Sequence, residues 1–455
     1  MKEAEMSDSL IAKYGEARLP RYTSYPTAPA FSPAVGPEQY AHGLSEIAAS
    51  GPVSVYLHVP FCRSMCWYCG CHTTITRQDA PVLEYLDVLS QEIELVSQAA
   101  RNEVPVKNVH FGGGTPTIMK PDEFSSLMDK LKSAFQFTSD CSVAVEIDPR
   151  TLSSEMIAAL GENGVDRASL GVQSFDPVVQ KAINRIQSFE QTQAAVAGLR
   201  GYGVTSINFD LIYGLPHQTI RSCVETVRRA VELRPERFAV FGYAHVPAFK
   251  KHQRLIDEAA LPDAAQRNEQ AEAIADELES AGYVRVGLDH FALPDDQLAV
   301  ASLSGTLRRN FQGYTTDECE TLIGLGASAI GRLPGGYVQN HVALGRYAER
   351  ISSGILATAK GYGLTDEDKF RARVIERLMC DFKVDLAKLG AEAGYDVGFL
   401  LERNDRLDSL VSDSVVTLEK GCITVSKEHR FMVRAVAAAF DAYFGSFGRT
   451  HSKAA

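Results

Sequence analysis

The sequence predicts an α/β protein, a parallel sheet of β/α units entered by an extended arm and followed by a mostly helical module. Two observations carry this. Between about residues 53 and 246, short β-branched or aromatic runs alternate with longer helical stretches, the pattern of strand–helix units with a parallel sheet. The residues just after each candidate strand are glycine-rich or polar, and such folds carry their chemistry at the C-terminal strand ends. The 455 residues, 45% hydrophobic, supply ample core for a barrel-sized domain with extensions.

In order along the chain, residues 1–50 form an arm. Its segment Pro20-Arg21-Tyr22-Thr23-Ser24-Tyr25-Pro26-Thr27 lies between prolines and should run extended. Two readings are equally open: a strap across the barrel surface, or a lid whose Arg21 and tyrosines reach a ligand. Residues 51–360 hold the barrel and its extension. Candidate strands are 53–59, 106–111, 142–147, 167–171, 206–211 and 238–243; candidate helices are 82–99, 124–135, 153–160, 192–202 and 219–233. A break at Gly361 and Gly363, followed by the cap-like Thr365-Asp366-Glu367-Asp368, opens residues 361–455. These read as three helices, a short hairpin (415–418 and 422–425) and a last helix, the order of a winged-helix-like module. The acidic balance argues against DNA there, and fold does not imply function.

The first strand runs into Cys62, Cys66 and Cys69, spaced C-x3-C-x2-C, with Cys71 just beyond; these are four of the nine cysteines. Pro60 stops the strand, so the thiols sit on a loop at its C-terminal end. Three close thiolates can hold one corner of an iron–sulfur cube and leave an iron open to another ligand. Zinc normally wants four ligands, often in two separated pairs. The aromatic Tyr68 beside Cys69 and the glycine run at 112–114 disfavour zinc and scattered buried thiols alike. The odd number of cysteines, four of them crowded, is unlike a secreted disulfide framework.

The later strand ends add candidates. Phe111-Gly112-Gly113-Gly114-Thr115 lets a ligand approach the backbone closely, where a tight turn alone would need one glycine. No lysine comes after it in phosphate-loop spacing. Glu146 could bind a ligand ammonium or ribose, or cap the next helix. Gln173 falls in the barrel mouth, and Arg185 could join it on a ligand carboxylate. Asp210 inside an apolar strand costs free energy unless partnered, which marks it as a contact. Lys250, Lys251 and His252 read as a solvated charge run, or as a patch for an acidic substrate. The small residues of 324–331 suit close backbone approach. A net charge of −11 and a pI near 5.6 argue against a nucleic-acid surface. The opening Met-Lys-Glu-Ala-Glu-Met has no apolar leader pattern and no run is long enough to span a bilayer, so a cytoplasmic protein is expected.

The cysteine loop resembles that of the radical S-adenosylmethionine (SAM) superfamily. The longer run of PRYTSYPT, YLHVPFC with CWYCGC, FGGGTPT, EIDPR, GVQSF, DLIYGLP, YAHVP, DHFA and RNFQGYTT resembles the oxygen-independent coproporphyrinogen III dehydrogenases, also called oxidases. That resemblance covers nearly the whole chain. It implies a partial (β/α)6 radical SAM barrel, a [4Fe–4S] cluster and two SAM molecules. It puts Cys62, Cys66 and Cys69 on the metal. It assigns Tyr56, Gly113 and Glu146 to the SAM on the cluster, and Tyr68, Gly114, Thr115, Gln173, Arg185, Asp210, Ala244 and Ile330 to the second. Catalytic candidates are Cys71, Tyr56 and Glu146, with Cys71 near the site but not a ligand. Substrate candidates are Arg21, Arg308, Arg309, Phe311 and Gln312, with Lys250 and Lys251 beside them. The implied reaction turns two propionates of coproporphyrinogen III into vinyl groups, giving protoporphyrinogen IX. The implied partners are the tetrapyrrole and a reduced donor such as flavodoxin or ferredoxin, with a monomeric enzyme, no nucleic acid and no membrane span. Tyr68 stands where relatives often carry Phe, and Ser174 departs from a GVQDF form. Two alternatives share the scaffold: a haem-binding trafficking protein, and a radical SAM enzyme acting on another tetrapyrrole. The arm and the fourth cysteine favour the decarboxylase.

Overall fold

The computed structural model describes residues 10, 13–14, 17–47, 51–101 and 104–446. The opening hexapeptide and the last residues of the expected arm, 48–50, lie outside them. Six strands form the core of the sheet: β1 (Val53–Val59), β2 (Pro105–Gly113), β3 (Gln136–Ile147), β4 (Arg167–Gln173), β5 (Ser206–Tyr213) and β6 (Arg237–Gly242). Each pairs in parallel with the next. Their valines, leucines and phenylalanines are buried, as parallel strands covered by helices require. Helices between them include α1 (Ala80–Ala100), α2 (Pro121–Ala134), α3 (Ser154–Glu162), α4 (Phe189–Gly201) and α5 (Ile220–Glu232). Side-chain caps start several of these: Ser153, Ser188 and Thr219 each accept from a first-turn N–H.

The sheet extends beyond six strands. β7 (Val284–Val286) and β8 (His290–Ala292) continue it past β6, antiparallel. On the other side β9 (Leu322–Leu325) lies parallel to β1, followed by antiparallel β10 (Ile330–Leu333), β11 (Gly336–Asn340) and β12 (Thr358–Gly363). The spatial order of the 12-stranded sheet is β12-β11-β10-β9-β1-β2-β3-β4-β5-β6-β8-β7. Its two end strands are not paired to each other, so the barrel stays open. The glycines of 324–331 are what this extension needs. A Cβ on Gly324 would stand 2.6 Å from the Ile330 carbonyl oxygen, and one on Gly326, at φ +98°, 2.6 Å from that of His58.

A second core gathers the C-terminal residues, including Phe370, Leu378, Leu407, Val433 and Phe440, around a three-stranded sheet. Leu10, Leu19, Tyr22 and Tyr25 belong to this core. The first part of the arm therefore packs into the C-terminal module, while Tyr40, Leu44 and Ile47 further along it pack into the barrel core. Arg434 Nε donates to the Pro20 carbonyl at 2.9 Å, its Nη2 donates to that of Leu19, and the Tyr22 hydroxyl donates to Asp441 at 3.0 Å. No helix among the described residues is long and apolar enough to cross a membrane.

Candidate active site

The site begins where β1 ends. Tyr56 and His58 share a face, two residues apart on a strand. The Tyr56 hydroxyl lies 3.0 Å from His58 Nδ1, and His58 Nε2 lies 3.2 Å from the His72 carbonyl. A carbonyl only accepts, so Nε2 carries the proton and Nδ1 accepts from the tyrosine. Burial lowers the His58 pKa, consistent with a neutral ring. Tyr56 also stacks on His110 at 5.8 Å between ring centroids. His110 Nε2 reaches Glu146 Oε1 at 3.3 Å, while the Gly113 N–H donates to Oε2 at 3.1 Å. Burial pushes the Glu146 pKa up, but the His110 bond and charge and the Gly113 N–H outweigh it, and Glu146 sits below its ordinary value. One carboxylate thus links the ends of β2 and β3 under the glycine turn.

The glycines are steric necessities. A Cβ on Gly113, at φ +113°, would lie 2.7 Å from the His58 ring, and one on Gly114 2.5 Å from the Phe61 carbonyl oxygen. The turn therefore packs directly on the cysteine loop. Cys62 Sγ lies 3.3 Å from Thr115 Oγ1 and receives a hydrogen bond from Thr73 Oγ1 at 3.4 Å. Two guanidiniums face Cys66: Arg150 Nη2 at 3.4 Å and Arg185 Nη1 at 3.5 Å. Both are fixed by Asp148, which Arg150 Nη2 meets at 2.6 Å and Arg185 Nη2 at 3.2 Å. The hydrogen bond from the exposed Cys71 brings the Cys69 thiol down to about 6.

The ends of β4 and β5 face the same region. Gln173 adopts φ +66° and is buried, and its Oε1 has no partner; the same holds for Arg185 Nε. Gly171 makes room for both: a Cβ there would stand 2.9 Å from Gln173 Nε2 and 3.0 Å from Arg185 Nη2. Asp210 accepts from Ser169 Oγ at 3.1 Å and Asn208 Nδ2 at 2.8 Å. Burial, then the negative charge of Glu146, pushes Asp210 up to about 7. Tyr68 packs against an apolar patch containing Val179, Ile183 and Leu215. Ile330 opens β10 against Gly324, the residue paired with Tyr56. Ser174 closes its own turn, accepting from the Asp176 N–H at 3.2 Å.

Among the described residues, no three His, Cys, Asp or Glu side chains converge where a single metal ion would sit. The thiolates of a [4Fe–4S] cluster bind separate irons and need not converge on one point. The donor set fits: three thiols on one loop, with cationic N–H groups aimed at one sulfur to offset its charge. The glycine cradle and the unpartnered Gln173 Oε1 fit a polar ligand beside it.

A cavity of about 580 Å³ opens on the loop after β6, where Ala244 lies. Arg21, Arg309, Arg434, Asp289, Phe311 and Gln312 are among its lining residues. Arg309 lies 4.3 Å over the Tyr314 ring, and its Nε and Nη1 are buried without partners. Burial, then the charges of Arg21 and Arg309, pushes Arg434 down to about 10. Burial would raise Asp289, but the His290 hydrogen bond and the arginine charges hold it at about 2. Arg308 does not join this cavity. It alternates with Arg309 along a short strand and turns to Glu376 at 3.0 Å. Lys250 is also diverted: its Nζ donates to the Cys71 carbonyl at 2.8 Å.

Sequence reasoning missed His58, His110, Asp148, Arg150 and Arg434. For His58 the available signal was its i, i+2 position from Tyr56 on one strand face. For Asp148 and Arg150 it was a charged pair at a strand end. Arg434 lies in an alanine- and valine-rich helical stretch far from the site in sequence, and nothing local marked it.

Residues 56–230 match the Radical SAM superfamily model. The open parallel barrel with three thiols after its first strand defines a protein of that class. The chain is 58% identical over 449 residues to an oxygen-independent coproporphyrinogen III oxidase of Bradyrhizobium diazoefficiens, covering 99% of this chain and 100% of the relative. It is 40% identical to one of Pseudomonas aeruginosa, covering 97% and 96%. The solved coproporphyrinogen III oxidase of Escherichia coli, described as a radical SAM enzyme, superposes with a TM-score of 0.89 at 38% identity, covering 93% of this chain and 97% of that one. The chain belongs to the oxygen-independent coproporphyrinogen III oxidase family.

Proposed function

We propose that this enzyme oxidatively decarboxylates two propionate side chains of coproporphyrinogen III to vinyl groups, yielding protoporphyrinogen IX. The observation that carries the reading is the arginine-lined cavity, which opens on the rim that also holds the three-thiol loop. The two are coupled: Gln253 Nε2 donates to both the Tyr68 carbonyl at 3.0 Å and the Ala244 carbonyl at 3.2 Å. A tetracarboxylate needs cations in an otherwise acidic protein, and crowded arginines, Arg309 among them with Nε and Nη1 unpartnered, gain most from such a ligand.

A [4Fe–4S] cluster with SAM supplies, when bound, hydrogen abstraction from an unactivated carbon. Cys62, Cys66 and Cys69 hold the cluster, and Arg150 and Arg185 temper its negative charge through Cys66. Glu146, held below its ordinary pKa, offers a carboxylate to the SAM ammonium beside Tyr56 and the Gly113 backbone. A second SAM is assigned to Tyr68, Gly114, Thr115, Gln173, Arg185, Asp210, Ala244 and Ile330; the unpartnered Gln173 Oε1 supports that assignment. Arg21, Arg309, Phe311 and Gln312 orient the tetrapyrrole. Residues 51–360 act as the catalytic barrel, with the arm and 361–455 covering it, in a cytoplasmic monomer fed by a flavodoxin- or ferredoxin-type donor.

The test is anaerobic turnover of reconstituted protein with reductant, SAM and coproporphyrinogen III, products read by mass spectrometry. Loss of two CO2 with 5′-deoxyadenosine and methionine is expected. SAM cleavage without decarboxylation would move the substrate elsewhere, and haem binding with neither would make the chain a carrier.

A further inference from the structure

We infer that the surface formed by the turn after β6 and the segment before α4 is the docking site for a small acidic one-electron carrier protein. The inference rests on the radical SAM reading, in which the thiol loop must receive one electron per SAM cleaved. It concerns where that electron enters.

The cysteine loop is gripped from outside by two segments. On one side, Lys250 Nζ donates to the Cys71 carbonyl at 2.8 Å, His252 Nε2 to that of Cys69 at 2.7 Å and Gln253 Nε2 to that of Tyr68 at 3.0 Å. On the other, Asn184 Nδ2 donates to the Met65 carbonyl at 2.8 Å and the Trp67 N–H to that of Ile183 at 2.9 Å. These segments hold the loop through polar groups and turn apolar and cationic side chains outward. Phe249 is 65% exposed, Leu255 58% and Ile186 65%. Lys251, Arg254 and Lys181 are exposed beside them.

Large hydrophobics exposed together around one loop mark a contact surface more than isolated ones do. The charge selects the partner. The chain carries net −11, yet the stretch Phe249-Lys250-Lys251-His252-Gln253-Arg254 is free of acids. The nearest carboxylates downstream are engaged: Asp257 accepts from the Ala259 N–H at 3.0 Å and Glu258 meets His245 at 2.9 Å. Arg63 on the loop itself is neutralised by Asp79 at 2.6 Å. A local cationic rim on an acidic protein steers an acidic partner to one place and repels it elsewhere. An acidic carrier seated there would lie against the backbone that presents Cys69. The electron passes from the reduced carrier to the cluster, so the carrier is oxidised by one electron and the cluster reduced by one.

The test compares wild type with a Lys181→Glu/Arg254→Glu variant and, separately, Phe249→Ser, using a reduced acidic flavodoxin as probe. Binding is measured by titration of the reconstituted protein at several salt concentrations, and carbodiimide cross-links are mapped by mass spectrometry. The double variant should weaken flavodoxin binding at least tenfold at low salt, flatten the salt dependence and abolish links to Lys251. Flavodoxin-driven SAM cleavage should fall in parallel, while dithionite-driven cleavage, which needs no docking, stays within about twofold. Unchanged binding and cross-links mapping elsewhere would overturn the inference. Loss of dithionite-driven cleavage in wild type would instead sink the radical SAM reading itself.

Discussion

Glu92 on α1 is fully buried and takes three hydrogen bonds: from the Gly326 N–H at 2.6 Å, Asn340 Nδ2 at 2.6 Å and the Tyr347 hydroxyl at 2.7 Å. It fastens α1 to the turn after β9, and that turn backs His58, whose carbonyl accepts from Tyr85 at 2.6 Å. Burial raises its pKa from an ordinary 4.5 to about 7, against the opposing pull of those bonds. The folded state therefore holds a proton that the unfolded chain releases at about 4.5, so stability falls as pH rises from 4.5 to 7 and is flat above. At ~1.4 kcal/mol per pK unit, ionisation in place costs about 3 kcal/mol. Glu92→Gln keeps the shape but cannot accept from all three donors. Relative to the protonated wild type it should be about 1–2 kcal/mol less stable, and it should lose the pH dependence, so its deficit closes as the wild type weakens toward pH 7. In urea unfolding followed by circular dichroism, the variant should be the weaker protein at pH 5 and equal or stronger at pH 8. With m in urea at or above about 3 kcal/mol/M for a chain this long, the gap between midpoints should move by up to about 1 M. Two midpoints that run parallel from pH 5 to pH 8 would refute the buried-proton argument.

Gly114→Ala places a methyl 2.5 Å from the Phe61 carbonyl oxygen, so the cysteine loop must shift. Iron bound per chain after reconstitution should fall by at least about half, and full occupancy would show that the loop yields freely. Arg309→Met removes the partly unpartnered cation from the cavity. The KM for coproporphyrinogen III should rise roughly 10- to 100-fold, the loss of one charge-assisted contact of about 1.5–3 kcal/mol. Arg308→Met, whose arginine serves Glu376 instead, should change KM by no more than about twofold; equal effects would dissolve the distinction. With the cluster on Cys62, Cys66 and Cys69 as proposed, Cys71→Ser should retain it and lower turnover. Unchanged turnover would remove Cys71 from the chemistry.

The parallel strands were legible because each is a short apolar run between glycine and polar stops, and all six begin and end within a few residues of their expected bounds, β3 excepted. β3 starts earlier because Gln136–Asp140 is polar apart from Phe137, and its pairing at the β2 edge makes it a strand. The strand β9 stayed hidden for a related reason. Leu-Ile-Gly-Leu is too short and too glycine-rich to announce itself, and it becomes a strand only because β1 offers a parallel edge. The cysteine spacing drew attention to its loop, but spacing alone left zinc open, and it was Tyr68 and the glycine run at 112–114 that turned the reading toward a cluster. The arginines around those thiols did not stand out, because a guanidinium near a sulfur is a tertiary fact.

Glu92 shows where such facts can still be recovered. It falls seven residues after Tyr85 and three after Leu89, four before Val96, on the buried stripe of α1. An acid on an apolar stripe costs too much to be left unpartnered, so its position alone demands buried donors elsewhere in the chain. The glycine- and alanine-rich stretch 324–331 supplies one of them, the Gly326 N–H, reachable because side chains there are small, and Asn340 and Tyr347 supply the others. The misplaced acid and the small-residue turn predict each other, and their meeting is what holds the back of the barrel against His58. The arm gives the complementary case. Tyr22 and Tyr25 look like surface aromatics in an extended segment, and only the distant Arg434, buried and aimed at the Leu19 and Pro20 carbonyls, fixes them inside the C-terminal core. Because the same Arg434 lines the cavity with Arg21 and Arg309, the anchoring of the arm and the binding of a polyanion share one cation. A tetracarboxylate bound in that cavity, as proposed, would therefore meet the very cation that ties the arm down.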